Sequence, residues 1–183
     1  GRTRIYEYNV GTQQWVPLGQ EIYGKVVSDN SGSSVSMNAE GNIVAIGGYE
    51  AGNSYTGHTR IYEYDGNNWV QLGLDIDGEA AGDAIGDLSV SINAAGDRVA
   101  IGAPRNDGVN GADSGHTRIY EYNGINWIQL GSDIDGEAAA DESGSSVSMN
   151  AAGDRVAIGA RYNEGPNVSN SGSNNGHVRI FQI

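Results

Sequence analysis

The fold is decided by residues 57–65, Gly-His-Thr-Arg-Ile-Tyr-Glu-Tyr-Asp, because this stretch occurs in four copies along the chain. Near-identical copies begin at residues 1 and 115, and an altered copy, Gly-His-Val-Arg-Ile-Phe-Gln-Ile, covers residues 176–183. The copies therefore start 56 to 61 residues apart. Since periods of this length are typical of repeat architectures, the chain is predicted to be an array of similar units.

Three further blocks recur between these copies, and each has the composition of a β-strand. Their residues are mostly β-branched or aromatic, alternate between two faces and are joined by turns that contain Gly, Asn or Asp. With residues 57–65 they predict a four-stranded antiparallel unit and no amphipathic helix. The blocks are Trp-(Val/Ile)-x-Leu-Gly from Trp15, Trp69 and Trp127, Ser-Val-Ser-(Met/Ile)-Asn around Val35, Val90 and Val147, and Val-Ala-Ile-Gly from Val44, Val99 and Val156.

A four-stranded unit repeated at this period is typical of a blade in a β-propeller. Because both faces of the strands carry bulky side chains, a blade buries them only against its neighbours, through the recurring Trp and Tyr rings. The predicted fold is all-β, an incomplete ring with about three blades' worth of strands. We expect further blades of a longer chain, or other copies of this chain, to complete the ring. The predicted blades are 1–20 (the last two strands of a blade), 21–73, 74–131 and 132–183 (the first three strands).

The charge balance excludes two classes of partner. Asp and Glu total 23 against 10 Lys and Arg, which gives a formal charge of −13. Nucleic acids and anionic membrane surfaces are disfavoured as partners, because binding to either depends on basic side chains. No apolar run approaches the roughly 20 residues that span a bilayer, so we expect no membrane insertion. The sequence has no Cys and therefore no disulfide framework.

The order of these blocks resembles the FG-GAP repeat of integrin α-subunit propellers and of many secreted and cell-surface proteins. That repeat runs Phe-Gly-x-Ser-Val, a Ca²⁺ loop, a strand that ends in Gly-Ala-Pro, and then Gly-x-Val-x-Val-Tyr. The matching segments are Ser31–Val35, Ile85–Val90 and Ser143–Val147 for the first block, Gly102–Pro104 for the third, and Gly57–Tyr64 with its copies for the last. The resemblance covers nearly all of the chain and implies a propeller fold and an extracellular or cell-surface location.

The Ca²⁺ loop of that family, Asp-x-Asp-x-Asp-Gly, is not carried over to this chain. The turns at the corresponding positions, residues 38–42, 93–97 and 150–154, are too short and have too few carboxylates. Two other segments place oxygen ligands at positions 1, 3, 5 and 9, as part of an EF-hand loop does, and hard oxygen ligands suit Ca²⁺. The candidate Ca²⁺ ligands are Asp75, Asp77, Glu79 and Asp83 in one segment and Asp133, Asp135, Glu137 and Asp141 in the other.

The alternative interpretation of these two segments is a solvated acidic linker between blades. The first repeat has Glu21, Tyr23, Lys25 and Asp29 at the same four positions. Two oxygen ligands are therefore lost and a cation is gained, which indicates that a blade forms without the metal. The sequence thus requires no cofactor and leaves Ca²⁺ as a candidate ligand.

The sequence offers little for catalysis, and we expect no enzyme. His58, His116 and His177 occupy one repeat position, where the first copy has Arg2, and a general base is not ordinarily interchangeable with arginine. The serines lack the Gly-x-Ser-x-Gly pattern of a nucleophile elbow, and no glycine-rich loop has the context of a phosphate site. The recurring Arg and Glu of the 57–65 stretch point to opposite faces, so we expect structural ion pairs between blades.

The predicted function is an extracellular structural or adhesion module, a fragment of a larger repeat protein. Its expected partner is a protein or glycan at the cell surface, other copies of the chain, or the remaining blades. One alternative is a carbohydrate-binding propeller lectin that uses Tyr49, Tyr55 and Tyr162 of the variable loops, and another is a self-assembling surface or appendage protein. Asn167-Val-Ser is an N-glycosylation sequon, so Asn167 is a candidate modification site.

Overall fold

The chain is all-β, as the block pattern predicted. The computed structural model describes residues 1–49, 55–165 and 174–183, and these residues form seventeen strands without a helix. The described ranges accordingly contain no helix that is long and apolar enough to cross a membrane. Every ladder between named strands is antiparallel, and the sheets form an incomplete β-propeller-like array of four units.

Unit 1 is the smallest and consists of two short ladders. Its outer strand is divided into two short strands, and each of them pairs with a different part of residues 2–9. The pairs are β1 (Arg2–Thr3) with β4 (Ile22–Tyr23), and β2 (Tyr6–Asn9) with β3 (Gln14–Pro17).

Units 2 and 3 repeat the same sheet twice. In each sheet the strand order follows the sequence through four strands, and a short fifth strand returns to the third. Unit 2 consists of β5 (Ser34–Met37), β6 (Ile43–Gly48), β7 (His58–Tyr64), β8 (Trp69–Gln71) and β9 (Ile76–Asp77), and unit 3 of β10 (Val90–Ile92), β11 (Arg98–Ala103), β12 (His116–Tyr122), β13 (Trp127–Gln129) and β14 (Ile134–Asp135).

Unit 4 has three strands in sequence order, with a register shift between Ser143 and Ser146. The three strands correspond to the first three strands of units 2 and 3. They are β15 (Ser143–Met149), β16 (Arg155–Ala160) and β17 (His177–Gln182).

The outer strand of each complete sheet is divided into two short strands. Each unit therefore extends further along the chain than the sequence predicted. Strand β8 pairs with the second half of β7, and β9 pairs with its first two residues, His58 and Thr59. Strands β13 and β14 divide β12 in the same way. Residues 76–77 and 134–135 therefore belong to the sheets that precede them, whereas the predicted boundaries after residues 73 and 131 assigned them to the following blades.

The core lies between the sheets, and the Trp of unit 2 and the Trp of unit 3 each reach the unit before it. The Nε1 of Trp69 donates to the carbonyl of Leu18 at 2.8 Å, and that of Trp127 donates to Leu72 at 2.8 Å. Trp127 is 8% exposed, whereas Trp15 of unit 1 is 67% exposed. The rings of Trp69 and Trp127 are thus buried by the preceding unit, and burial of one aromatic side chain stabilises the fold by several kcal/mol at ~25 cal/mol per Å².

Serine hydroxyls connect the first strands of neighbouring sheets. Ser89 Oγ donates to the carbonyl of Gly144 in the next unit at 2.7 Å, and Ser91 Oγ accepts from the amide of Met149 at 2.9 Å. Gly102 lies beside this junction, where a Cβ atom would stand only 1.9 Å from the Gly144 oxygen. Gly47 has the same relation to Gly86. A glycine at this position therefore sets the separation between adjacent sheets.

The equivalent tryptophans provide a test of this packing. We expect Trp127→Ala to lower the free energy of unfolding by about 3–5 kcal/mol, because it leaves a cavity between units 2 and 3. Trp15→Ala is the matched control and should change it far less, since most of that ring is exposed. Urea denaturation of both variants measures the difference, and equal losses would contradict burial between units.

Candidate functional site

The carboxylates of the first acidic segment, residues 75–83, bind separate partners. Asp75 accepts from Lys25 Nζ at 2.5 Å and from Gln71 Nε2 at 2.7 Å. Asp83 is buried and accepts from the backbone amide of Ala80 at 2.9 Å, so it closes its own loop. Asp77 is an exposed residue of β9. Burial raises the pKa of Asp75, but its hydrogen bonds to Lys25 and Gln71 outweigh that effect and the net pKa is lowered.

The carboxylates of the second acidic segment, residues 133–141, also bind separate partners. Asp141 is buried and accepts from the Ala138 amide at 2.9 Å and from Asn163 Nδ2 at 2.7 Å. Glu137 lies 2.8 Å from His177 Nδ1, and Asp135 is a half-buried residue of β14. The four oxygen ligands predicted in each segment thus do not converge on one point within the described residues.

One group with metal-ligating atoms does form, and it joins the two segments. Glu79 of the first segment, Asp133 of the second and His116 of β12 have ligand atoms within 4.8 Å of one another. Arg118 lies among them, with Nη2 at 2.5 Å from Glu79 and 2.7 Å from Asp133, and Nε at 2.8 Å from Asp133. This guanidinium holds the pKa of Asp133 below its usual range.

These residues do not fit a Ca²⁺ ion. Ca²⁺ takes six to eight oxygen ligands, whereas this group offers two carboxylates and one imidazole. The guanidinium of Arg118 already supplies the positive charge between the carboxylates. The observed arrangement is an ionic junction between units 2 and 3. The recurring arginine thus pairs with carboxylates of the acidic segments and not with the recurring Glu of its own stretch, since Glu121 pairs with Arg98.

A second junction lies between units 1 and 2 and is more deeply buried. Arg60 Nη2 donates to Asp29 Oδ2 at 2.9 Å and lies 3.0 Å from His58 Nε2. All three residues are almost inaccessible to solvent. Burial, together with the neighbouring arginine, lowers the pKa of His58, and the same two causes lower that of His116. Both histidines are therefore neutral members of these junctions at neutral pH.

The sequence showed the parts of these junctions but not their pairing. The arginines recur on strands and the carboxylates recur in the segments between strands, with the same period. That shared period was the available signal. Neither interpretation of the acidic segments, a Ca²⁺ loop or a solvated linker, includes the guanidinium groups of β7 and β12, which pair with Asp29 and Asp133 in the structure.

Two open cavities lie at corresponding places in units 3 and 4. Each is bounded by the Ala-rich loop before the first strand of the unit and by the loop after its second strand. The unit 3 cavity has a volume of about 470 Å³ and that of unit 4 about 670 Å³. Tyr55 lines the first and Tyr162 the second, while Tyr49 stacks on Tyr55 with ring centroids 5.6 Å apart. Two of the three tyrosines singled out in the sequence thus line cavities.

The outer face of unit 4 is apolar and open to solvent. Ile180 is 73% exposed and Val178 65%, although the equivalent residues Ile119 and Thr117 of unit 3 are buried. Strand pairing places Ser146 and Ser148 on the same face. Unit 1 has an open face at the other side of the array, formed by Tyr6, Tyr8 and Trp15. The candidate glycosylation residue Asn167 lies outside the described residues.

No family model matches the chain, and no curated protein matches it. Among solved structures it is similar to a chain of hydrazine synthase from Kuenenia stuttgartiensis, with a TM-score of 0.55 and 13% sequence identity. The match covers 100% of this chain and 52% of that one, so the chain spans about half of that relative's length. At this identity the similarity shows the fold alone.

The pKa shifts predict how stability depends on pH. His58 and His116 have lowered pKa values in the folded chain, whereas an unfolded histidine titrates near about 6.5. As the pH falls through about 6.5 the unfolded chain binds more protons, so the free energy of unfolding decreases. We expect this decrease in urea titrations between about pH 7.5 and about pH 5.5, and a smaller one in the His58→Gln/His116→Gln double variant. His177→Gln is the control and should retain the dependence.

The ionic junctions also predict the response to chelation. Lys25 and Arg118 neutralise three carboxylates of the acidic segments, and the described carboxylates of each segment do not converge on one point. The melting temperature should therefore be the same in excess EDTA and in excess CaCl₂. Arg118→Leu should lower it, since the half-buried Asp133 then loses its partner. A clear rise of the wild-type melting temperature with CaCl₂ would show that Ca²⁺ binds after all.

Proposed function

We propose that the chain is a structural and adhesion module of extracellular or cell-surface type that acts by presenting interaction surfaces. The resemblance to the FG-GAP repeat supports this location and role. The acidic composition, with a formal charge of −13, is compatible with a soluble surface module and disfavours polyanionic partners. The histidines at the shared repeat position support a non-catalytic role, because two of them are buried in ionic junctions.

The observation that carries the proposal is the open face of unit 4. Large contiguous apolar patches on a soluble protein mark interaction sites. At the internal interfaces, residues equivalent to Val178 and Ile180 are covered by the next sheet. The open face therefore has the surface chemistry of an interface between units. Covering one isoleucine side chain contributes about 1.5–3 kcal/mol, so burial of Val178 and Ile180 together favours association.

The partner that this face fits best is another sheet of the same repeat type. Ser146 and Ser148 occupy the positions at which Ser89 and Ser91 bond to the following unit. A further repeat or a second copy of the chain would thus find both apolar surface and serine hydroxyls. Self-assembly is the second candidate function, and it differs from adhesion in requiring no partner of another kind.

Sedimentation velocity of the 183-residue chain tests the proposal. We expect the weight-average sedimentation coefficient to rise with concentration, because exposed sheet faces associate. Ile180→Asp should weaken this rise by placing a charge on the face. Val109→Asp is a matched control, because Val109 is an exposed residue of a loop. A chain that remains monomeric at all accessible concentrations, or an Ile180→Asp variant that associates as strongly as wild type, would contradict the proposal.

A further inference from the structure

We propose that the unit 3 cavity, the open cavity of about 470 Å³ lined by Tyr55 and Asn106, binds a neutral pyranose unit of a glycan. This goes beyond the structural role, because it assigns a small-ligand site to one rim of the array. The volume falls within the ~300–1,000 Å³ of typical small-molecule pockets. Alanine residues 80, 81 and 112 line part of the cavity and leave its interior free of bulky side chains.

The amide of Asn106 is the main observation. Asn106 is only 8% exposed, lines the cavity and has no hydrogen-bond partner for its side chain among the described residues. Its backbone is fixed, since its N–H donates to Ala103 at 3.2 Å and its carbonyl accepts from Gly115 at 3.0 Å. The amide atoms of Asn106 are not among the described side-chain atoms that are both inaccessible and without a partner. They therefore reach the open cavity, where a ligand can form hydrogen bonds to them.

The equivalent residue in unit 4 shows that this lack of a partner is specific to unit 3. Asn163 is buried to the same degree, but its Nδ2 donates to Asp141 at 2.7 Å. Its Oδ1 accepts from the amide of Gly165 at 2.8 Å. The protein itself therefore satisfies the amide in one unit and leaves it available in the other.

Tyr55 supplies a fixed aromatic ring on the wall of the cavity. Its ring is 49% exposed and stacks on Tyr49, with an angle of 27° between the ring planes. Its backbone carbonyl accepts from Ala84 of unit 3 at 3.0 Å. A ring held in this way costs little conformational entropy on binding and offers apolar surface to the C–H groups of a sugar ring.

The remaining polar groups favour a neutral ligand with hydroxyl groups over an anion, because three aspartates and one arginine line the cavity. Arg105, Asp107 and Asp113 line the cavity with both signs of charge. Asp83 and Asp107 each accept a hydrogen bond from a backbone amide, so part of the negative charge is already engaged. An amide offers two donors and one acceptor, which match a pair of adjacent hydroxyls. Aromatic surface, an amide open to the cavity and charged side chains that can donate or accept hydrogen bonds together point to a pyranose.

The test titrates ¹⁵N-labelled chain with methyl pyranosides of glucose, galactose, mannose, fucose and N-acetylglucosamine. We expect at least one of them to shift the side-chain amide resonances of Asn106 in a saturable manner, with a dissociation constant in the millimolar range. Asn106→Leu and Tyr55→Ala should each weaken the affinity for the pyranoside by about tenfold or more. Ligand-observed saturation transfer measures the affinity of each variant. If Asn106→Leu does not fold, Tyr55→Ala still tests whether the cavity binds the sugar.

Asn67→Leu is the matched control, because Asn67 is an exposed residue of the turn after β7 and should leave sugar binding unchanged. If no pyranoside shifts the Asn106 resonances, the proposal is wrong. It is also wrong if binding persists unaltered in both cavity variants. Since sedimentation reports on the sheet faces and the titration on the rim, either proposal can fail while the other stands.

Discussion

The structure depends on the burial of broad sheet faces by neighbouring sheets, since none of the units encloses a core of its own. The largest cluster of buried residues joins unit 2 to unit 3, with Ile61 on one side and Val99, Ile101 and Trp127 on the other. A single small sheet in water is marginal at best, so each unit is stabilised by those beside it. The open faces of units 1 and 4, and the interaction role proposed for the chain, are consequences of the same dependence.

The ionic junctions are a second kind of contact between neighbouring units. Replacing a buried ion pair by apolar residues is often neutral or stabilising, so these pairs are weak contributors to net stability. Their position suggests a different effect. Arg118 links Glu79, which precedes unit 3, to Asp133, which follows β13, and so fixes two connecting segments against one strand. The apolar faces supply the driving force for stacking, whereas the arginines fix how the connecting segments lie.

Sequence reasoning succeeded where the signal was periodic and local. Alternating bulky residues and Gly- or Asn-containing turns were enough to predict the strands and the packing of Trp69 and Trp127 between units. It did not find β9 and β14, because each has only two residues, Ile-Asp, and lies in an acidic segment without an alternating pattern. It also did not pair Arg118 with Glu79, because the two residues are 39 positions apart (118 − 79) and meet only after the sheets stack. The cavity beside Asn106 depends on loop conformations, which no periodic pattern encodes.

The glycine contact between sheets has a consequence for how such a chain can change in length. Ser89 and Gly102 of unit 3 both contact the backbone of Gly144 in unit 4. Ser34 and Gly47 of unit 2 contact the backbone of Gly86 in the same way. Unit 3 thus carries both halves of the contact, since its Gly86 meets unit 2 and its Ser89 and Gly102 meet unit 4. Gain or loss of one whole repeat period preserves the serine, the glycine and the partner backbone at each junction, whereas gain or loss of part of a period separates the serine from its glycine. Changes in length by whole periods therefore keep every contact of this kind intact.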